Sequence, residues 1–490
     1  DERRRRGLVA ADQLGVLSPV YRRAGEELAV ALEARDLLRL LERRPDPDER
    51  SLVRWLVTGS IAATATLFAG VERLPGGHLL EVSEGATTRR RYWRLQYREP
   101  LQAPRAELED TLRAAVGRAV ESRLREAGAS GVLLSGGLDS AAVAAAAARA
   151  GGLSRTYSLV FPGEPGVDES EGIAETAAAL GLPSELVAHD GSAGLLAATR
   201  AHVAAWALPP ASPTLAVHAP LLRRAADDRV GVLLDGQGGD ELFGSSLDLL
   251  ADLVRAGRLG EAHDLARRLD GIPERLRGRA ARRALVRYGL APLLPPRLRR
   301  TVRRVRRRER PAPWLRLPAA RPEEPAGAGP AWWRSLADAV TVQRERAGAH
   351  DHLRRRNEDA GVAGAHPLLQ DRELIELVLR LPPHLAFDAE YDRPLLRGAL
   401  RGLLPERVLE RRGKVFFTPL LVRAVAETDH AEIRGRLLAP KAEIGAYADP
   451  ELVRSRLLDA PPARRGGAWA WALWRLAALE LWLEAERERG

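Results

Sequence analysis

Two glycines, an aspartate and two serines stand between a short apolar run and an alanine-rich segment in GVLLSGGLDSAAVAAAAARA, residues 131–150. A simple turn needs less chemistry than this. Gly136 and Gly137 let backbone amides approach an anion, and the start of the following helix adds partial positive charge. Ser135 and Ser140 supply hydroxyl donors. Asp139 belongs beside an anion only if a cation lies between them, so the set suits a polyphosphate carried with Mg2+. The Walker pattern GxxxxGK[ST] is absent and no lysine is near.

A second loop, VGVLLDGQGGDELFG (230–244), again runs from an apolar strand into glycines and then into Asp240 and Glu241. Alone, GGDE fits a capped turn equally well. Two loops that each offer a carboxylate at one sheet edge suit a magnesium ion held mainly by phosphates, with Asp139 and Asp240 as its protein ligands. A third segment, RPLLRGALRGLLPERVLERRGKVFFTP (393–419), ends in a basic turn that presents Lys414 among aromatics. Lysine occurs only at Lys414 and Lys441, although Lys+Arg total 76. Where arginine serves on nearly every solvated face, a retained lysine points to a place that needs a compact ammonium. Such a cation would cover charge developing at a phosphate.

The elements around these loops follow a pattern. GVLLS, TYSLVF, SELVAHD and VGVLLDG read as buried strands, separated by helical stretches such as ESEGIAETAAALG and LLAATRAHVAAWA. Alternation of this kind predicts an α/β fold with a doubly wound parallel sheet, whose ligands sit where strands end and helices begin. Residues 105–127 read as an amphipathic helix with Leu108, Leu112, Val116 and Val120 near one face. Residues 1–97 read as short strands with one or two helices, HLLEV and RRYWRL among the strands, so domains 1–97 and 98–490 are expected. Beyond about residue 245 the chain reads mainly as helix. The tryptophan stripe Trp471, Trp474, Trp482 has the spacing of a buried helix face rather than a stacking platform.

Composition sets the outer limits. Apolar residues make up 45% and charged residues 29%, an ordinary globular balance. No apolar run reaches membrane-span length and no signal peptide opens the chain, so a cytoplasmic location is expected. Absence of cysteine excludes disulfides, thiolate metal sites and a cysteine nucleophile in this sequence. Methionine is also absent, and further sequence upstream is expected. The net charge of +10 owes much to RLRRTVRRVRRRER (297–310), which reads as a solvated connector, a docking surface for an acidic peptide or partner, or an RNA contact.

SGGLDS resembles the pyrophosphate loop of the N-type ATP pyrophosphatases, and the chain as a whole resembles the asparagine synthetase family. LLSGGLDS, LLDGQGGDELFG, HPLLQDRELIELVLRLPP and LPERVLERRGKVFFTP carry the likeness. LVAADQLGVLSPVY, LFAGVERLPGGHLLEV and YWRL resemble the second half of that family's N-terminal glutaminase domain, here without a cysteine nucleophile. Within the family, RTYSLVFPG, WWRSLAD, HDHLRRR, RLPPHLAFD and DRPLLRGALRGLLP are most similar to lasso peptide macrocyclases. The resemblance implies an ATP-pyrophosphatase domain with helical C-terminal additions and a smaller α+β glutaminase-like remnant. It implies ATP and Mg2+ as cofactors, a precursor peptide as substrate, and a leader-binding protein and leader peptidase as partners, with no nucleic acid. It also implies that Ser135, Gly136, Gly137, Asp139 and Ser140 hold pyrophosphate. Leu134 and Gly236 would lie near adenosine, Asp139 and Asp240 would bind Mg2+, and Lys414 would stabilise the adenylate.

Gln237 departs from the family pattern, which has glutamate in asparagine synthetases and tyrosine in β-lactam synthetases at that position. Glutamine cannot take a proton from an attacking ammonium, so an orienting role is what remains for it. Four other functions stay open at this level: asparagine synthetase proper, β-lactam-synthetase-like amidation, an RNA-modifying pyrophosphatase, and a nucleotide-binding scaffold without turnover.

Overall fold

The computed structural model describes residues 6–25, 27–83, 86–125, 128–189, 194–269, 274–295, 312–316, 328–341, 349–412 and 415–489. Lys414 and the basic run 297–310 lie outside the described residues.

The first part of the chain forms two small antiparallel sheets. One has the order β1 (Arg6–Ala10), β5 (His78–Ser83), β6 (Ala86–Arg91); the other has β3 (Glu27–Ala31), β2 (Val20–Ala24), β4 (Glu72–Arg73). Helices α1 (Ala34–Leu40) and α2 (Glu49–Thr58) accompany them. The expected strand RRYWRL stops at Arg91, because the amides of Tyr92 and Trp93 turn to donate to the Gly77 carbonyl and the Tyr92 hydroxyl donates to Ala11.

A long helix, α3 (Arg105–Leu124), then leads into the alternating region. The sheet is parallel and five-stranded, in the order β11 (Gly364–Ala365), β10 (Val232–Leu234), β7 (Ser130–Leu133), β8 (Arg155–Val160), β9 (Ser184–Ala188). Helix α4 (Leu138–Arg149) joins β7 to β8, α5 (Ser170–Ala179) joins β8 to β9, and α6 (Leu195–Trp206) with α7 (Thr214–Asp227) joins β9 to β10. Successive strand residues point to opposite faces. Val132 and Leu234 enter a core with α3, α4 and α5, while Leu133 and Leu233 enter a second core with Leu221 and Leu222 of α7. Helices therefore cover both faces, which explains why the strands are apolar throughout.

The tryptophan stripe lies on the last helix, Gly467–Arg489. Trp474 and Trp482 are fully buried, whereas Trp471 is half-buried and meets Trp474 edge-on. Trp55 packs on Trp474 and Phe68 on Trp482, so the N-terminal unit and the last helix share one core. Among the described residues no helix is long and apolar enough to cross a membrane.

Candidate active site

Chain order sets the position of the site. From β7 the chain builds β8 and β9 on one side, then crosses back to place β10 and β11 on the other. Crossovers leave in opposite directions from the β7–β10 pair, and the space above such a point is where open α/β sheets bind ligands. Residues 134–138 leave β7 there, Asp235–Gly239 leaves β10, and His366 follows β11.

The first loop is internally braced. The Ser135 amide donates to Ser140 Oγ at 3.1 Å, and the two hydroxyls lie 3.0 Å apart. Ser140 Oγ also donates to the carbonyls of Ser135 and Gly137. Gly137 N donates to Ser135 Oγ. Leu134 is buried, its amide on the Tyr157 carbonyl. Ser140 thus turns its hydroxyl into the turn that it shapes.

Glycine is needed in the second loop because the two loops touch. A Cβ on Gly236 would lie 2.6 Å from the Ser140 amide, and one on Gly239 would lie 2.1 Å from Asp139 Cγ. Gly238 adopts a φ of 94°, which glycine reaches without strain. Gln237 is half-buried, its amide donating to Asp235 Oδ1 at 3.0 Å.

The two expected metal-binding carboxylates converge on one cation. Arg393 Nη1 lies 2.8 Å from Asp139 Oδ1, and its Nη2 donates to Asp240 Oδ1. The side chains of Arg393 and Asp139 are 11% and 14% exposed, that of Asp240 51%, so the cluster opens toward solvent on the Asp240 side. Arg393 has a φ of 52°, a conformation that costs a non-glycine residue of order 1–3 kcal/mol unless its surroundings impose it. They do so here. The helix Pro394–Leu400 that it precedes is docked on α3: Arg105 donates to the Pro394 carbonyl, Arg113 to that of Ala399, and Gly398 admits the Glu109 carboxylate.

The basic turn of the third segment reaches the same place. Arg411 Nη1 donates to the Gly136 carbonyl at 2.7 Å, and its Nη2 pairs with Glu169 at 2.6 Å. Beneath the second loop, Asp235 is buried and binds Arg356 at 3.1 Å and His366 Nδ1 at 2.7 Å. Burial opposes its charge, but His366 and Arg356 outweigh that and hold its carboxyl below the usual carboxylate range. Burial, reinforced by Arg356, pushes neighbouring His218 down to about 4, so that ring is neutral near pH 7.

The structure therefore gathers Leu134, Ser135, Gly136, Gly137, Asp139, Ser140, Gly236, Gln237 and Asp240 at one sheet edge. Reading the sequence residue by residue missed Arg393, Arg411, Glu169, Asp235, Arg356 and His366. Five of these stand in stretches that carry the family likeness: Asp235 in LLDGQGGDELFG, Arg356 in HDHLRRR, His366 in HPLLQ, Arg393 in DRPLL and Arg411 in ERRGK.

The Asparagine synthase family model matches residues 111–484, and the Glutamine amidotransferase domain model matches residues 1–93. The chain belongs to the asparagine synthase family. Asparagine synthetase [glutamine-hydrolyzing] 1 of Bacillus subtilis is 26% identical over 238 residues, which is 48% of this chain and 37% of that protein. Amidase chyE of Penicillium rubens is 28% identical over 276 residues, 52% of this chain and 40% of that protein. The matches thus span about two fifths of each relative's length. Within this asparagine synthase-family chain, the family-model match includes all three converging segments and most of the last helix.

Proposed function

We propose that the chain is an ATP-dependent amide-forming ligase that closes a macrolactam in a ribosomal precursor peptide. The observation that carries the ligase reading is the convergence of Asp139 and Asp240 on one cation over the start of α4, at the sheet's switch point. Two carboxylates already sharing a guanidinium fit a divalent ion. Asp139 and Asp240 would hold Mg2+, which would share the charge of the ATP phosphates when bound. The amides around Gly136 and Gly137 and the start of α4 would grip pyrophosphate, as in the ATP-pyrophosphatase fold.

In the proposed reaction an Asp or Glu side-chain oxygen of the peptide attacks the α-phosphorus, and the bond to the β-phosphate breaks to release pyrophosphate. The peptide's N-terminal amine then attacks the acyl carbon, AMP leaves with the C–O electron pair, and the amine's proton passes to solvent. Gln237 orients rather than accepts that proton, because its amide has no basic nitrogen. Lys414 would steady the adenylate. The macrocyclase reading draws support from the motifs HDHLRRR and DRPLLRGALRGLLP, whose Arg356 and Arg393 touch Asp235 and the carboxylate pair. A leader-binding protein and a leader peptidase would then be partners. A second reading, asparagine-forming amidation of a small acid, is favoured by the likeness to the Bacillus subtilis synthetase.

The test is direct. With ATP and Mg2+, a leader-free peptide bearing a free amine and an internal acid should lose the mass of one water while AMP and pyrophosphate form. Asp240→Asn should cut that product by about 100-fold or more, the scale of losing one transition-state charge contact. Undiminished turnover in that variant would remove the carboxylate's assigned role. Asparagine formed from aspartate and ammonia, with the peptide untouched, would select the second reading.

A further inference from the structure

Away from the carboxylate pair, a cleft of about 520 Å³ lies where the N-terminal sheet meets the helical region. Its lining comes from the end of β6 (Arg91) and the run after it (Trp93, Arg94, Arg98), from Trp333 on the helix Ala331–Val340, and from Arg380 just past the helix Arg372–Val378. None of these side chains belongs to the site described above.

Three features of the cleft point to a ligand. Its charge is uncompensated: among the described residues Arg94, Arg98 and Arg380 have no acidic partner, and the buried Nε of Arg380 has no hydrogen-bond partner. The acid in the lining, Glu376, faces Arg372 instead. The wall is aromatic as well as cationic, with Trp333 buried and Trp93 half-buried. Finally, the run from Tyr92 to Arg98 alternates as a strand does. Trp93, Leu95 and Tyr97 pack on the main core while Arg94, Gln96 and Arg98 stand exposed. Among the described residues, its amides beyond Trp93 have no backbone partner until Leu101, which donates to the Arg380 carbonyl. The run also continues β6, the edge strand of its sheet.

We propose that this cleft binds an extended acidic polypeptide segment, laid as an added strand beside Arg91–Arg98. An edge of free amides and carbonyls gives main-chain hydrogen bonds, and alternate side chains of the incoming segment give specificity. Arg94 and Arg98 are separated by roughly 13 Å at about 3.3 Å per residue, so an alternating acidic guest would set acids four residues apart on the two arginines, with Gln96 between them. A nucleic acid could use the charge but not the row of peptide groups, which is why a peptide is favoured. The inference stands apart from the ligase reading, because it is read without ATP and without turnover.

The experiment is fluorescence anisotropy on the full chain with a labelled (Glu-Thr)5 peptide. Saturable binding is expected, weakening with added salt, with (Gln-Thr)5 at least 10-fold weaker. A peptide of the same composition with its glutamates in one block should also bind less tightly. Arg94 and Arg98 are exposed, so the double variant R94E/R98E should keep the parent's circular dichroism and melting temperature yet lose at least 10-fold in affinity. N-methylation of alternate guest amides should abolish binding. Undiminished binding by R94E/R98E or by the N-methylated guest would overturn the proposal. So would equal or tighter binding of a ten-nucleotide single strand of thymidine, which would make the cleft a general polyanion site.

Discussion

Two clusters of arginine and acid in this molecule differ in how far they are open to water. At the sheet edge Arg393 spans Asp139 and Asp240, with half of the Asp240 side chain open to water. At the seam with the N-terminal unit, the helix Ala349–Asp359 sets Arg354 and Arg355 on Glu33, and Arg73 from β4 pairs with Asp351. There both acids are only 3% exposed. In the closed cluster the charges left water for good, so each depends on its partners and an exchange of cation has no route. In the open cluster, on the proposed reading, the guanidinium would yield to Mg2+ without stranding a carboxylate. One would then be a fastener and the other a socket. The next residue of that helix, Arg356, reaches Asp235 beneath the second loop, so one turn of helix serves both regions.

This contrast can be broken experimentally. The largest effect is expected at the seam: Glu33→Ala removes the buried carboxylate that Arg354 and Arg355 share and should cost about 3 kcal/mol or more in urea denaturation. A loss below about 1 kcal/mol would mean that the seam behaves like an open surface pair. Arg393→Ala should cost less, about 1 kcal/mol, because the pair is partly solvated. Its signature is the response to Mg2+. Without arginine the two carboxylates repel, so added Mg2+ should raise the melting temperature of the variant more than that of the parent. An equal rise in both would show that guanidinium and metal do not compete for one place.

The smallest effect is a pH slope. Burial holds His218 and His350 down to about 4 and His352 to about 3, with His366 and Arg356 respectively the next contributors for the last two. In the unfolded chain these rings take protons near pH 6.5, whereas the folded chain refuses them until the lower values. The unfolded state therefore binds more protons in that window, and stability should fall as the pH drops from about 6.5 toward 4. Above pH 6.5 this source contributes no slope. Denaturation midpoints measured between pH 7 and 5 for the parent and for His350→Gln should diverge, with the variant flatter; parallel curves would remove His350 from the account.

Legibility in the sequence followed range. SGGLDS and DGQGGDE could be read directly because a phosphate-binding turn is built from consecutive residues, and the alternation of strands and helices is a local pattern too. The socket's cation could not be read, since Arg393 lies far along the chain from both acids and looks like any other arginine in a sequence rich in them. Its positive φ leaves no mark either, because the docking of its helix on α3 imposes it. Asp235 was passed over for a related reason. It precedes the glycines of the loop as an ordinary strand-end acid, and only His366 and Arg356, brought alongside by β11 and a neighbouring helix, show it to be a buried anchor. Lys414 lies outside the described residues, yet Arg411 three positions earlier brings its segment onto Gly136.

By itself, the order of residues determined which groups can meet an anion, which stretches must be buried, and that strands and helices alternate. These depend on side-chain chemistry and on periods of two and 3.6 residues. Tertiary structure alone decided that the chain reverses its winding direction between β7 and β10, because strand order follows from how covered faces pack together. That reversal sets two remote aspartates around one guanidinium. Contacts between distant segments are chosen by the packing of the whole, and no short window of sequence contains them.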